Sequence, residues 1–490
     1  MRNQEFSSDE FTKKLIQDVF PSNWKNPKPA EIYDLLVIGG GPGGMTAAMV
    51  AQGFNAKVAL VEKEHLGGEC LTAGCIPSKA LLRCSRLAAD VRNASEFGIE
   101  IPDGCKVDFG AVMRRVHRLQ ATISPHDSAV HFQKFGLDIF FGTGCLTSPS
   151  QCEVAGQTIT FKKAIVITGT QPIPLSVPGI EPSDYLTNQN VFKLSSLPRR
   201  LAVIGGGPIS CELSQAFCRL GSQVTLITRG GTLLSKDDIA ATERLQKTME
   251  KEGVRIIMHS QVQRVEKRGA EKVLYLDKND EGIVADEILV GIGRTPVVEG
   301  LGLEKGGVAY DLQKGITTND YLQTSNPNIY AAGDVSSSYK FTHVSKELAK
   351  LAVINALNGN REKKNSLIIP WCTYTDPEIA HTGLTEKEAQ DKGISLETVM
   401  VEFSDNDRAL LDGETIGFFK LLVKAGSDQI IGATLMASHA GEMISEITVA
   451  IESDKGLLEL ARAIHPFPTQ AQIFRTAAET LLQKRKKSMK

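Results

Sequence analysis

The stretch YDLLVIGGGPGGMTAAMVAQGFNAKVALVEKE, Tyr33 to Glu64, runs through an apolar segment, a glycine turn, a helical pattern of small residues and a second apolar segment. Uninterrupted Leu/Val/Ile runs are what strands buried on both faces of a parallel sheet require, so the stretch predicts one βαβ unit. Gly39, Gly41 and Gly44 fit G-x-G-x-x-G within it. The first glycine permits the tight turn, the second lets the backbone approach a pyrophosphate, and the third allows close helix packing with the phosphates at the helix N-terminus. Glu62, 23 residues after Gly39, stands at the end of the second strand, where a carboxylate can accept from both hydroxyls of a ribose.

A second copy starts at Leu201, LAVIGGGPISCELSQAFCRLGSQVTLITRG, and aligns without gaps at a constant offset of 166, Gly39 on Gly205 and Val58 on Val224. Gly205 and Gly207 keep the pattern, while Ser210 takes the place of the third glycine. The 23-residue step lands on Thr228, followed by Arg229. A carboxylate there would repel a 2′-phosphate, whereas a guanidinium pairs with it in a fork, so NADPH is expected over NADH. Two dinucleotide sites in one chain point to a tightly held redox carrier and a diffusing hydride donor, a flavin plus NADPH.

A chain of 490 residues, 42% hydrophobic and 23% charged with 44 glycines, suggests a soluble α/β protein of several domains. A formal charge of −2 gives no footprint for nucleic acid, and the basic C-terminal run KRKKSMK reads as a solvated tail. The opening MRNQEFSSDEFTKKL has no signal-peptide core, and no apolar window of about 18 residues occurs, so no membrane partner and a cytoplasmic location are expected. The nine cysteines are too sparse for a disulfide framework and none are spaced C-x-x-C, so no metal site is expected.

Two of those cysteines, Cys70 and Cys75, stand close together in GGECLTAGCIPSKALL. So short a loop makes a poor staple, and no further ligands suggest a metal. The pair directly follows the first nucleotide unit, and Cys75 precedes Pro77, a residue of first helical turns, where a thiolate is stabilised. A short, easily reduced disulfide beside a flavin is the reading that fits best.

GGECLTAGCIPSK resembles the GGxCxxxGCxPSK signature of the class I pyridine nucleotide-disulfide oxidoreductases, which include dihydrolipoamide dehydrogenase, glutathione reductase and mercuric reductase. The likeness extends from Ile32 to about Ala478 and includes GIGRTP at Gly291–Pro296, GDV at Gly333–Val335 and PT at Pro468–Thr469. It implies an α/β protein with two Rossmann-like domains for FAD and NAD(P) and a C-terminal α+β dimerisation domain. The implied segments are an N-terminal arm (1–31), the first part of the FAD domain (32–190), the NAD(P) domain (191–290), the second FAD or central part (291–365), the dimerisation domain (366–484) and a basic tail (485–490).

By the same likeness, Cys75 would lie against the flavin as charge-transfer thiolate and Cys70 would attack the acceptor. Lys79, paired with Glu212, would sit near the flavin's reactive nitrogen. Besides the first glycine turn and Glu62, the FAD site would include Lys63, Gly68, Gly144, Gly169, Gly333 and Asp334. The NADP site would comprise Gly205, Gly207, Glu212, Thr228 and Arg229 with Gly293 and Arg294.

The lipoamide and glutathione enzymes take a proton from an H-P-T-x-x-E run of the partner subunit in a homodimer, but this chain reads AIHPFPTQAQIF. Aligned on Pro468–Thr469, Phe467 replaces the histidine and Gln472 the glutamate; a register on His465 meets Gln470 instead. Mercuric reductases have an aromatic residue at the histidine position, yet hand metal over with a C-terminal cysteine pair, and the last cysteine here is Cys372. The expectation is therefore a mercuric-reductase-like enzyme acting on a metal ion or small molecule, with Phe467 in the acceptor pocket. Two alternatives are a dihydrolipoyl dehydrogenase using His465 and a non-catalytic redox-sensing flavoprotein.

Overall fold

The structure, a computed structural model, describes residues 9–488, the side chains of 279, 280 and 488 apart. Its first domain runs through helix Glu10–Val19 (α1), strand Tyr33–Ile38 (β1), helix Pro42–Gly53 (α2), strand Val58–Glu62 (β2), helices Gly68–Thr72 (α3), Cys75–Arg92 (α4) and Phe109–Ile123 (α5), and strand Asp138–Phe141 (β3). Strands β3, β2, β1 and Gln157–Val166 lie side by side and parallel, extended by Ile329–Ala331 and by an antiparallel arm, Gln151–Val154 and Cys145–Ser148. Leu35, Leu36, Val37 and Ile38 are all buried, as a strand covered on both faces demands.

The second copy builds a separate parallel sheet, Arg255–Ile257, Gln223–Ile227, Arg200–Ile204 and Glu287–Val290. A three-stranded antiparallel sheet over Val262–Ala285 is inserted before its last strand. The C-terminal sheet is antiparallel throughout, and helices Ala440–Glu452 and Gln472–Ser488 contribute to its core. Mixed α/β architecture with two dinucleotide-type sheets and an α+β C-terminal unit is thus observed.

The two glycine turns differ at their third position for a packing reason. A Cβ on Gly44 would lie 1.7 Å from the Gly39 carbonyl oxygen and 3.3 Å from Ile167 Cγ2. In the second turn, Ser210 is fully buried and faces Gly291, whose own Cβ would stand 2.3 Å from Ser210 Oγ. Glycine against isoleucine in one unit has become serine against glycine in the other, and the hydroxyl donates to Gly291 O at 3.4 Å.

Both chain ends correct the sequence reading. The segment 1–31, read from sequence as an arm, is no loose arm within the described residues, since α1 buries Leu15 and Val19 in the first domain's core; residues 1–8 lie outside the described residues. The basic tail begins within helix Gln472–Ser488, where Arg485 pairs with Glu397 and donates to Ser427 O at 2.8 Å; residues 489–490 are not described. Within 9–488 no helix is long and apolar enough to cross a membrane.

Candidate active site

One cleft of about 2720 Å³ connects the two glycine turns. A drug-sized ligand fills roughly 300–1,000 Å³, so two dinucleotides fit. Gly41 caps α2 and Gly207 caps helix Pro208–Leu220, and neither start has a side-chain cap. Both open on the cleft with unpaired N–H groups and a positive dipole end, which suits a pyrophosphate. A Cβ at Gly41 would meet only Gly68 Cα, at 4.0 Å, and one at Gly207 nothing within 4 Å, so the space beside both belongs to the cleft.

The residues at the ends of the second strands occupy equivalent places. Glu62 accepts from Gly40 N and Glu64 N, each at 2.6 Å, and burial pushes its carboxyl pKa up. Thr228 sits beneath Gly206 as Glu62 does beneath Gly40, with Thr228 Oγ1 accepting from Gly230 N at 3.2 Å. Arg229 is exposed on the cleft wall. Lys63, Gly68, Gly144, Gly169, Gly293 and Asp334 also line it. Gly44 and Gly333 do not: Gly44 meets the Gly39 carbonyl, and Gly333 backs onto Ser345 Oγ of helix Thr342–Asn358. Gly44 thus serves the close packing read for it from the sequence, and Gly333, assigned to the FAD site, packs against this helix rather than lining the cleft.

Cys70 lies in α3 and Cys75 is the first residue of α4, with the α4 N-cap, Gly74, between the helices. Both are thiols here, and both reach Thr342 Oγ1, at 3.4 Å from Cys70 Sγ and 3.3 Å from Cys75 Sγ. The hydrogen bond between the two sulfurs divides their acidities, lowering Cys75 to about 6 against the desolvation that opposes it and raising Cys70. Thr342 and the Lys79 ammonium lower Cys75 further, while Glu212 acts against them. One thiolate sharing one proton with its neighbour is the state this geometry favours near neutral pH. Iodoacetamide should therefore modify the dithiol form at Cys75 first, with a rate that rises through pH 6 rather than 9; a rise centred near 9 would refute the assignment.

Lys79 Nζ donates to Glu212 Oε2 at 2.8 Å and stands 4.4 Å over the Tyr374 ring. The other Glu212 oxygen accepts from Tyr374 N at 2.9 Å. Gln215 and Arg219 follow on the same face of helix Pro208–Leu220. The Gln215 side chain pairs twice with the Asp376 backbone, at 2.7 and 2.8 Å, and Arg219 Nη1 donates to Asp376 Oδ2 at 2.7 Å. Three polar residues one turn apart thus grip segment 374–376 and fix the carboxylate that Lys79 uses. Sequence reading missed Gln215, Arg219, Tyr374, Asp376 and Thr342. The buried polar stripe Glu212, Gln215, Arg219 at helical spacing was the one signal available for the ladder.

Arg294, assigned from sequence to the NADP site, lines the cleft beside the thiol pair. Its guanidinium pairs with Glu69, next to Cys70, and donates to Thr170 Oγ1 at 2.7 Å and Asn188 Oδ1 at 3.2 Å. It also helps offset the burial that raises the Asp334 carboxyl pKa.

His465 has a carboxylate after all: Nε2 meets Glu446 Oε1 of helix Ala440–Glu452 at 2.8 Å. Glu446 lies outside the C-terminal run, in which neither register offers a glutamate, and Nδ1 is buried without a hydrogen-bond partner. Neither His465 nor Phe467, which is 71% exposed, lines the cleft within this chain.

Residues 33–350 match the family model of pyridine nucleotide-disulphide oxidoreductases, and residues 369–478 match the dimerisation domain of the same family. The chain is 34% identical over 450 residues to a mercuric reductase of Staphylococcus aureus, covering 91% of this chain and 82% of that protein. It is 33% identical over 455 residues to a dihydrolipoyl dehydrogenase of Chlamydia muridarum, covering 91% and 96%. Among solved structures, LpdA from Mycobacterium tuberculosis superimposes with a TM-score of 0.83 at 25% identity over 91% of this chain and 99% of that one. The HOCl-induced flavoprotein disulfide reductase RclA from Escherichia coli shares the fold, with a TM-score of 0.82 at 23% identity, covering 91% and 99%. With its paired glycine turns and the thiol pair on their common cleft, the chain belongs to the pyridine nucleotide-disulphide oxidoreductase family and is an enzyme that uses FAD with NAD(P)H.

Proposed function

We propose that the protein passes electrons from NADPH through FAD to Cys70 and Cys75, and from the dithiol to a metal ion or small oxidant. The observation that carries this reading is the thiol pair of divided acidity on the cleft that joins the two dinucleotide turns. FAD, held at the first turn, supplies a two-electron carrier between a hydride donor and the thiols. Cys75, the low-pKa thiol beside Lys79, faces the carrier side, and Cys70 delivers electrons outward. Thr342 holds the two sulfurs against a common hydroxyl. Oxidation of the pair yields one S–S bond, two electrons and up to two protons.

The second site takes NADPH in this reading, because Arg229 is free to pair with a 2′-phosphate and Thr228 does not repel it. Replacing Arg229 with alanine should raise KM for NADPH by about 10–100-fold, the worth of a charge-assisted hydrogen bond, and leave KM for NADH within about twofold. An equal effect on both nucleotides would contradict the role.

The acceptor reading rests on Phe467, exposed where a proton-donating histidine would be expected, in a homodimer whose partner loop closes the site. A metal ion needs no acid at that position. One observation favours the dihydrolipoyl dehydrogenase alternative, the His465–Glu446 pair. Against it, Nε2 is engaged by Glu446 and the unpartnered Nδ1 is buried within this chain, where a thiol does not reach it. Turnover with NADPH on Hg²⁺ and on lipoamide decides: faster lipoamide reduction with NADH than with NADPH would overturn the proposal.

A further inference from the structure

Residues 9–26 lie ahead of the segment matched by the family model, which begins at residue 33, yet Leu15 and Val19 belong to the first domain's core and Trp24 packs against it. Asp9 caps α1 through Thr12 N at 2.6 Å and meets His117 Nδ1 of α5 at 2.6 Å. Asp18 accepts from Ser124 Oγ, just beyond α5, at 2.6 Å. Leu15 and Val19 enter the core that holds Leu66 and Leu71. Helix α1 is thereby fixed behind α5, whose Arg115, Leu119 and Ile123 line the cleft.

The chain leaving α1 covers an open sheet edge. Strand β3 ends the sheet, and its outward backbone groups are satisfied by side chains of this segment. Asn26 accepts from Phe141 N at 2.8 Å and donates to Phe141 O at 2.9 Å, and Trp24 Nε1 donates to Ile139 O at 3.3 Å. The rings of Phe20 and Trp24 meet Phe141 edge-on at 5.0 and 5.9 Å. Such pairing fixes the segment in one register on the edge rather than merely laying it over the surface.

A chain of contacts leads from there to the first glycine turn. Val19 O accepts from Leu66 N at 3.1 Å, Gly67 N donates to Gly40 O at 3.0 Å, and Gly40 N donates to Glu62 Oε2 at 2.6 Å. Phe20 stands edge-on to His65 at 5.8 Å, and His65, Glu64 and Lys63 all line the cleft. The loop 62–67, which borders the ribose end of the first dinucleotide site, is therefore held from behind by residues outside the matched family segment.

We infer that residues 9–26 form a strap that retains FAD by holding the loop 62–67 in its binding geometry, with Phe20 and Asn26 as its positioning residues. The inference rests on FAD occupying the first glycine turn. The strap touches the cleft wall and not the cleft, so its effect falls on dissociation of the flavin rather than on the reacting thiols. A resident carrier requires such retention, since every turnover passes through it while NADPH comes and goes.

The test uses the full-length holoenzyme and follows flavin release by the recovery of free-FAD fluorescence after dilution. Phe20→Ala/Asn26→Ala should speed release by about tenfold or more, given the ring contacts and two hydrogen bonds removed. Phe20→Leu, which keeps most of the volume, should give a smaller rise, about two- to fivefold, and remains informative if the double variant fails to fold. Hydrogen exchange in residues 62–67 should quicken in step with release, a coupling that a loss of global stability alone would not confine to that loop. Glu62→Ala separates the inference from the placement beneath it. Faster release in Glu62→Ala with unchanged release in the strap variants would overturn the strap, and unchanged release in Glu62→Ala would overturn the placement of FAD.

Discussion

Replacing Cys75 with serine is expected to lower NADPH-driven reduction of any acceptor by about a thousandfold or more, the scale seen when a reacting group is removed outright. The serine hydroxyl can keep the contact to Thr342 and hold its place at the start of α4, so the fold should survive. What is lost is the sulfur whose acidity is brought to about 6 by the hydrogen bond from Cys70, by Thr342 and by Lys79. Cys70→Ser should be equally inactive toward acceptor but leave the nucleotide-dependent loss of flavin absorbance intact. Turnover in either variant within tenfold of the parent would mean that electrons leave by another route.

The second large effect is expected for Lys79→Met. Glu212 is 6% exposed and keeps only the Tyr374 N–H once the ammonium is gone. Breaking a buried pair from one side costs about 3–5 kcal/mol; because the Lys79 side chain is 37% exposed, the loss should be nearer 2 kcal/mol. The rate of reduction by NADPH should fall by about a hundredfold, since the fixed positive charge near the carrier is removed. Adding Glu212→Gln should restore most of the stability in a thermal melt without restoring the rate. Cys75 should also become less acidic in Lys79→Met, as it loses a nearby cation, and the pH dependence of its alkylation reads this directly. Recovery of the rate in the double variant would show that the lysine matters only as Glu212's counter-ion.

Much of this organisation was legible because it is local. The glycine turns, the strands around them and the cysteine pair each lie within a few tens of residues, and the repeat at an offset of 166 places two of them on one plan. What escaped is carried by contacts between distant segments. Helix α1 hides in a charged, short N-terminal run whose apolar residues Leu15 and Val19 become informative only against α5 and Leu66. The carboxylate of His465 comes from Glu446 on a neighbouring helix, so no register of the C-terminal motif could reveal it. Arg294 follows a glycine-rich strand end that reads as a nucleotide contact, yet three segments far apart in sequence draw its guanidinium to Glu69. Gly333 stands in a stretch that resembles a cofactor-binding motif, but the hydroxyl of Ser345 is what excludes a side chain there.

The central claim is that Cys70 and Cys75 are the outlet for electrons arriving from NADPH. Air-oxidised enzyme reduced anaerobically with NADPH, then alkylated and digested, should show label appearing at both cysteines in the peptide containing GGECLTAGCIPSK. If NADPH reduces the flavin but adds no label at either position, the thiol pair does not carry the electrons and the proposed route is wrong.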